Sequence, residues 1–83
     1  MKFCYITFRS VTPAQKGEKI LRRTGVECTL QRTPRWMEEQ GCGYSLRLRH
    51  SDVIRGCGML REKGVAFRKV YLQEDGRFEE LQL

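Results

Sequence analysis

Two glycines, Gly25 and Gly64, constrain the fold of this chain more than any other sequence feature. Each follows a segment whose apolar residues recur at helical spacing, and each precedes a segment in which apolar and polar residues alternate. A glycine just after the last helical turn is a common left-handed cap, and alternation is typical of a half-buried strand. The sequence therefore predicts two helices, each followed directly by a strand.

Strand-like segments also precede both helices. Four strands are predicted, at residues 2–8, 26–31, 44–49 and 65–72. We expect Thr12 to be the N-cap of the first helix, with Pro13 as its first residue, and Ser51 to cap the second. Glu74-Asp75-Gly76 predicts a tight turn into a fifth strand over residues 77–83.

The order strand, helix, strand, strand, helix, strand predicts an α+β fold of the ferredoxin-like βαββαβ type. This is a two-layer sandwich in which both helices cover one face of an antiparallel sheet. With 83 residues, the chain is expected to form a single domain over residues 1–83. Residues 73–83 would add a C-terminal hairpin with an extra strand.

The composition and charge of the chain limit the classes of function that it could have. The net charge of +6 comes from 16 basic and 10 acidic residues, and the basic ones are spread along the chain. This spread favours a solvated basic surface over a dedicated nucleic-acid face. No apolar run approaches the ~18–20 residues of a membrane span, and the N-terminus does not resemble a secretory signal. We therefore expect a cytoplasmic protein with reduced cysteines and no membrane contact.

The cysteine pattern predicts neither a metal site nor a resident cofactor. Cys4, Cys28, Cys42 and Cys57 include no Cys-x-x-Cys pair, and His50 is the single histidine. A zinc site would need all four thiolates from scattered elements.

One of the four cysteines is a candidate for chemistry. Cys4, Cys28 and Cys57 fall on apolar faces of predicted elements, where a free cysteine packs as a small hydrophobe. Cys42 belongs to no periodic pattern and lies between Gly41 and Gly43, which leave it open to a partner and permit unusual backbone geometry. The alternative is that the glycines serve the turn and Cys42 is structural.

The predicted topology brings the start of the third strand beside the start of the first helix. A helix N-terminus stabilises an anion, so it should lower the pKa of Cys42 and favour a thiolate, persulfide or selenide. Arg9 and Arg35 would act in the same direction, and Glu38 and Glu39 would oppose it.

The same topology excludes two partners for this cysteine. His50 is expected at the far edge of the sheet, which argues against a Cys42–His50 dyad. Cys57 is expected too far away for a disulfide with Cys42.

Several short segments carry a resemblance to a known family. They are Tyr5-Ile6-Thr7-Phe8, Ser10, Ala14 to Leu21, Gly25-Val26, Thr33-Pro34-Arg35 and Gly41-Cys42-Gly43 before the Leu46/Leu48 strand. The chain resembles, over most of residues 3–72, the small bacterial selenium/sulfur (Se/S) carrier-like proteins, a former family of unknown function. The most specific part is the Pro-Arg followed by Cys-Gly at a strand start. Trp36 to Glu39 depart from the small, polar residues typical of the family there.

The resemblance implies that Cys42 holds sulfur or selenium, as a persulfide, and passes it between donor and acceptor proteins. The supporting site residues would be Gly41, Gly43, Arg35, Pro34, Arg9, Ser10 and Thr12. Because no general base or cofactor motif accompanies the cysteine, a carrier is favoured over an enzyme.

Two other function classes remain open. Phe3 and Tyr5 on the open sheet face could stack on single-stranded RNA, cover a homodimer interface or pack beneath the C-terminal hairpin. Tyr44, Leu46 and Leu48 lack the aromatic signature of RNA-binding strands, which argues against RNA. The chain could also be a partner-binding module in which Cys42 is structural.

Overall fold

The computed structural model describes residues 2–35 and 43–83. Its regular elements are β1 (Phe3–Phe8), α1 (Val11–Arg23), β2 (Cys28–Arg32), β3 (Tyr44–Arg49), α2 (Val53–Glu62), β4 (Val70–Glu74) and β5 (Arg77–Leu81). A short 3-10 turn, His50–Asp52, leads into α2. The predicted α+β class, with two helices and an antiparallel sheet, is confirmed.

The strands form one 5-stranded sheet in the order β2-β3-β1-β4-β5. Every neighbouring pair is antiparallel. The helix α1 joins β1 to β2 with β3 between them, and α2 joins β3 to β4 with β1 between them. The strand β1 is therefore the centre of the sheet, and it pairs with β3 on one side and β4 on the other.

Both helices pack against the same face of the sheet. A Cβ added to Gly17 of α1 would lie 3.2 Å from Leu60 of α2 and 3.3 Å from Leu46 of β3. A Cβ added to Gly56 of α2 would lie 3.3 Å from Leu48 of the same strand. The core between the layers is made of buried apolar side chains, among them Cys4, Ile6, Phe8, Leu21, Leu46, Leu48, Val53, Cys57 and Leu60.

The predicted glycine caps are confirmed. Gly25 and Gly64 have φ angles of 84° and 73°, in the left-handed region that side chains disfavour. At the end of α1, the Val26 N–H donates to the Leu21 carbonyl at 2.9 Å, which is the long hydrogen bond of a Schellman motif. The end of α2 is closed in the same way after Gly64.

The predicted helix starts were wrong by one or two residues. The first helix begins at Val11 with Ser10 as its N-cap, so Thr12 lies in the first turn. The second begins at Val53, and Ser51 belongs to the 3-10 turn before it. Backbone N–H groups in a first helical turn have no intrahelical acceptor, so a proline, which lacks this group, fits at any position of that turn. Pro13 therefore did not fix the start of the helix.

The fourth strand is shorter than predicted and starts later. Residues 65–69 form no regular ladder, although they follow β1 closely. The Thr7 backbone bonds to two successive residues, since its N–H donates to the Lys69 carbonyl and its carbonyl accepts the Arg68 N–H. The Lys69 N–H donates to Thr7 Oγ1 at 3.0 Å. A side chain thus takes a place that a backbone carbonyl would have in a strand.

The C-terminal hairpin is confirmed. Glu74 pairs with Arg77 across a two-residue turn in which Asp75 and Gly76 have φ angles of 49° and 77°. Positive φ at both central residues is the type I′ geometry that suits the twist of a hairpin.

Candidate functional site

The starts of β3 and α1 lie at the same end of the sheet, as the topology predicted. Tyr44, the first residue of β3, pairs with Phe8, the last residue of β1, and α1 begins soon afterwards at Val11. Tyr44 also pairs with Arg32, the last residue of β2. Three chain segments therefore meet at this end, which we call the β3-start end: the β1–α1 junction, residues 33–35 and residue 43.

The predicted supporting residues in these segments are mostly accessible. Arg9, Ser10, Thr12 and Arg35 are exposed, and Pro34 is half-buried. Ser10 caps α1 without a side-chain hydrogen bond, and no acidic residue lies in the first turn. Proline has no N–H, and the other N–H groups at the start of this turn lack intrahelical acceptors, so this end of the helix is electropositive.

Gly43 links this end to the predicted cysteine. Its carbonyl accepts a hydrogen bond of 3.0 Å from the Thr33 N–H. A Cβ added to Gly43 would meet no atom of residues 2–35 or 45–83 within 4 Å. The expectation that Gly43 permits unusual backbone geometry stays a prediction. Among the described residues, Gly43 leaves space open beside the chain.

The predicted nucleophile itself lies outside the described residues. The residues outside the described ranges include Cys42, Gly41 and the segment from Trp36 to Gln40, which contains Glu38 and Glu39. The role of Cys42 stays a prediction.

The other three cysteines are buried free thiols, as their apolar patterns predicted. Burial raises the pKa of Cys4 to about 11, and the neighbouring Cys57 adds to the effect. Burial also raises the pKa of Cys28, against the opposing influence of Arg22, and that of Cys57, against Arg61. Because the thiolate is the reactive form, these thiols are suited to packing and poorly suited to nucleophilic chemistry at neutral pH.

Two hydroxyl groups at the β3-start end were missed by the sequence reasoning. Thr33 is 7% exposed and Ser45 is fully buried, although Ser45 alternates with Tyr44 and Leu46 along β3 as a solvent-facing residue would. Their Oγ atoms have no hydrogen-bond partner within the part of the chain that the structure describes. By contrast, Thr7, which pairs with Ser45, is bonded to Lys69. The only signal for these two residues was that they lie close to Gly43, Ser45 in the sequence and Thr33 in the sheet.

His50 lies at the opposite end of the sheet. Its N–H donates to the Lys2 carbonyl at 3.1 Å, and the 6 residues of β3 separate it from Gly43. At ~3.3 Å per residue this strand is about 20 Å long, too far for a hydrogen bond between His50 and a residue next to Gly43.

No metal cluster is found in residues 2–35 and 43–83: no three histidine, cysteine, aspartate or glutamate side chains there are placed to hold an ion. None of the described helices is long and apolar enough to cross a membrane.

The open face of the sheet offers less aromatic surface than predicted. Tyr5 is only 8% exposed, and its hydroxyl donates to Gln73 Oε1 at 2.9 Å. The Phe3 ring is covered by the Arg47 guanidinium at 3.9 Å. Tyr5 and the face of Phe3 beneath Arg47 are therefore not available for stacking on an RNA base.

A family model described as "Putative Se/S carrier protein-like" matches residues 3–72. The chain belongs to this family. Comparisons with curated proteins and with solved structures gave no significant match.

The extent of the match bears on the site. In this member of the Se/S carrier-like family, the matched residues run from β1 into β4 and include every predicted site residue. The tight turn at Asp75-Gly76 and β5 lie beyond them. The candidate site is therefore part of the shared family region, and the fifth strand is not.

Proposed function

We propose that this protein carries sulfur or selenium on Cys42 and transfers it between a donor and an acceptor protein. Membership of the Se/S carrier-like family supports the chemistry. The burial of Cys4, Cys28 and Cys57, with their raised pKa values, supports the choice of cysteine. The scaffold would be a ferredoxin-like βαββαβ sandwich extended by β5.

The observation that carries the proposal is the pair of buried hydroxyls of Thr33 and Ser45, near Gly43, which have no hydrogen-bond partner among the described residues. A buried hydroxyl without an acceptor costs about 1–3 kcal/mol, so a stable fold keeps few of them without a reason. Thr33 is bonded through its backbone to Gly43, and Ser45 follows Gly43 closely on β3. Cys42 is joined to Gly43 by a peptide bond. A thiolate or persulfide anion there would be an acceptor for these O–H groups.

The electrostatics of the β3-start end favour the same anion. The free N–H groups of Val11 and Thr12 make the start of α1 electropositive, and no first-turn carboxylate offsets them. The exposed Arg9 and Arg35 add positive charge. Together these groups would lower the pKa of a nearby thiol and stabilise a bound persulfide or selenide.

The transfer step needs no external oxidant. The Cys42 thiolate attacks the outer sulfur of a donor persulfide, a new S–S bond forms, and the donor cysteine leaves as a thiolate. The acceptor then removes the outer sulfur from Cys42 by the same exchange, and the Cys42 thiolate is restored. Selenium follows the same path as the outer atom. Both partners would approach through the space beside Gly43, where an added Cβ meets no described atom within 4 Å.

Alkylation of the native protein across pH, followed by mass spectrometry for each cysteine, tests the proposal. Cys42 should react fastest, with a midpoint below the ~8.5 of a free thiol, while the three buried cysteines react slowly. Cys42→Ser should remove the fast reaction. Gly43→Ala tests access: the added methyl group meets no described atom within 4 Å, so the protein should fold, but it fills part of this space and should slow the fast reaction. A Cys42 that reacts no faster than Cys57 would leave the partner-binding module as the better account.

A further inference from the structure

A cavity lies at the opposite end of the sheet from Gly43, where β2 begins and β3 ends. Its volume is about 570 Å³, within the range of small-molecule sites. Its charged lining consists of three arginines and one glutamate: Arg22, Arg47, Arg49 and Glu27. Phe3 and the backbone around Cys28 complete the wall. The positive excess at a concave surface points to an anionic ligand.

Arg47 is held in a fixed orientation at this cavity. Its guanidinium lies over the Phe3 ring with 3.9 Å between the central carbon and the ring centroid. Within the described residues, no carboxylate is within ion-pair distance of it. A guanidinium stacked on a ring keeps its N–H donors free at its edges, where they can bind the oxygens of a phosphate in pairs.

The neighbouring charges leave room for a ligand. Arg49 is 3.8 Å from Glu27, whose side chain is 85% exposed, so this pair is weak and a phosphate can replace it. Arg22 is anchored along the edge of β2 by its 3.0 Å bond to the Cys28 carbonyl and by Glu18 at 3.3 Å.

The C-terminus of α1 does not strongly counteract the positive charge of the arginines that line the cavity. Helix C-termini disfavour anions because their last carbonyl groups are free. Here the Leu21 carbonyl accepts bonds from the Val26 N–H and from Thr24 Oγ1, and the Arg22 carbonyl accepts the Gly25 N–H.

We propose that this cavity binds a phosphate-bearing ligand, with Arg47 and Arg49 as its principal contacts. The source of the phosphate is a free phosphate compound or nucleotide, or the backbone of a single-stranded nucleic acid. All share an oxyanion that arginine recognises. The site is about one strand length from Gly43, so it does not depend on the chemistry of Cys42.

The test is a titration of the full-length, isotope-labelled protein followed by NMR, with inorganic phosphate, adenosine monophosphate and a short single-stranded RNA as separate probes. Amide shifts should concentrate at Phe3, residues 27–29 and residues 47–49. The double variant Arg47→Gln, Arg49→Gln should weaken binding about tenfold or more, since hydrogen bonds to charged groups are strong. Arg68→Gln removes one exposed charge away from the cavity and should change affinity little.

The probes also separate the sources of the phosphate. Tighter binding of the RNA, with a steep salt dependence, would indicate a nucleic-acid backbone. Equal or tighter binding of the mononucleotide or inorganic phosphate would indicate a small molecule. The proposal fails if no probe binds, if the shifts spread over all basic residues, or if Arg68→Gln weakens binding as much as the cavity variants. Alkylation of Cys42 in the same variants should be unchanged, which keeps this result separate from the carrier proposal.

Discussion

Alanine substitutions at three helical glycines test how tightly the two layers of the fold pack. Gly58 in α2 is exposed, and an added Cβ meets nothing within 4 Å. A Cβ at Gly56 would lie 3.3 Å from a Leu48 methyl group. At Gly17 in α1 it would lie 3.2 Å from Leu60 and 3.3 Å from both Leu46 and Phe8. The three sites thus differ in space while the change in helix propensity is the same.

The expected magnitudes follow from these distances. Replacing glycine by alanine inside a helix gains about 1 kcal/mol of intrinsic stability. Gly58→Ala should keep this whole gain and raise the melting temperature by about 4–8 °C for a domain of this size. Gly17→Ala adds an overpacking cost of about 1–3 kcal/mol, so its net effect should be destabilising. Gly56→Ala should fall between them, because the methyl group of Leu48 can move.

Urea unfolding and thermal melting of the three variants measure this order directly. The gain at Gly58 should appear as a higher unfolding midpoint with an unchanged dependence on urea. If Gly17→Ala stabilises the protein as much as Gly58→Ala, then α1 does not approach α2 and the sheet as closely as described, and the packing argument is refuted. The Gly58 variant controls for helix propensity in the other two.

Two further predictions concern buried polar groups. The pKa of the Cys4 thiol is raised from 9.0 to about 11 in the fold, which keeps the thiol neutral. As pH rises, this thiol therefore ionises in the unfolded state before it ionises in the folded state. Its stabilising contribution is complete below pH 9 and falls by about 2–3 kcal/mol as pH rises towards 11, at ~1.4 kcal/mol per pKa unit. Urea midpoints should show a smaller alkaline loss in Cys4→Ala, and an equal loss would contradict this assignment. Ser45→Ala should raise the free energy of unfolding by about 1 kcal/mol, by removing an unpartnered buried hydroxyl, and should slow alkylation of Cys42. A loss of stability would show that the hydroxyl has an acceptor in the free protein, and unchanged alkylation would remove it from the carrier site.

The sequence by itself determined the features that depend on a few consecutive residues. Gly25 and Gly64 end the helices because glycine alone adopts the left-handed backbone conformation there at low cost. Asp75-Gly76 makes the hairpin turn for a similar reason. The alternation over residues 44–49 predicted β3 with its bounds, and the order of elements then predicted that β3 and α1 start at the same end.

Only the tertiary structure decided the burial of Ser45, the clustering of the charged residues and the regularity of the fourth strand. Ser45 alternates like an outward residue but is fully buried, and no local pattern carries that information. Residues 65–69 look like a strand, yet the Thr7 side chain takes one of their backbone hydrogen bonds. Arg47 and Arg49 were read as scattered surface charge, but together with Arg22 they line one cavity. Burial, pKa and charge clustering depend on neighbours that are distant in sequence, so they appear only once the strands and helices are packed.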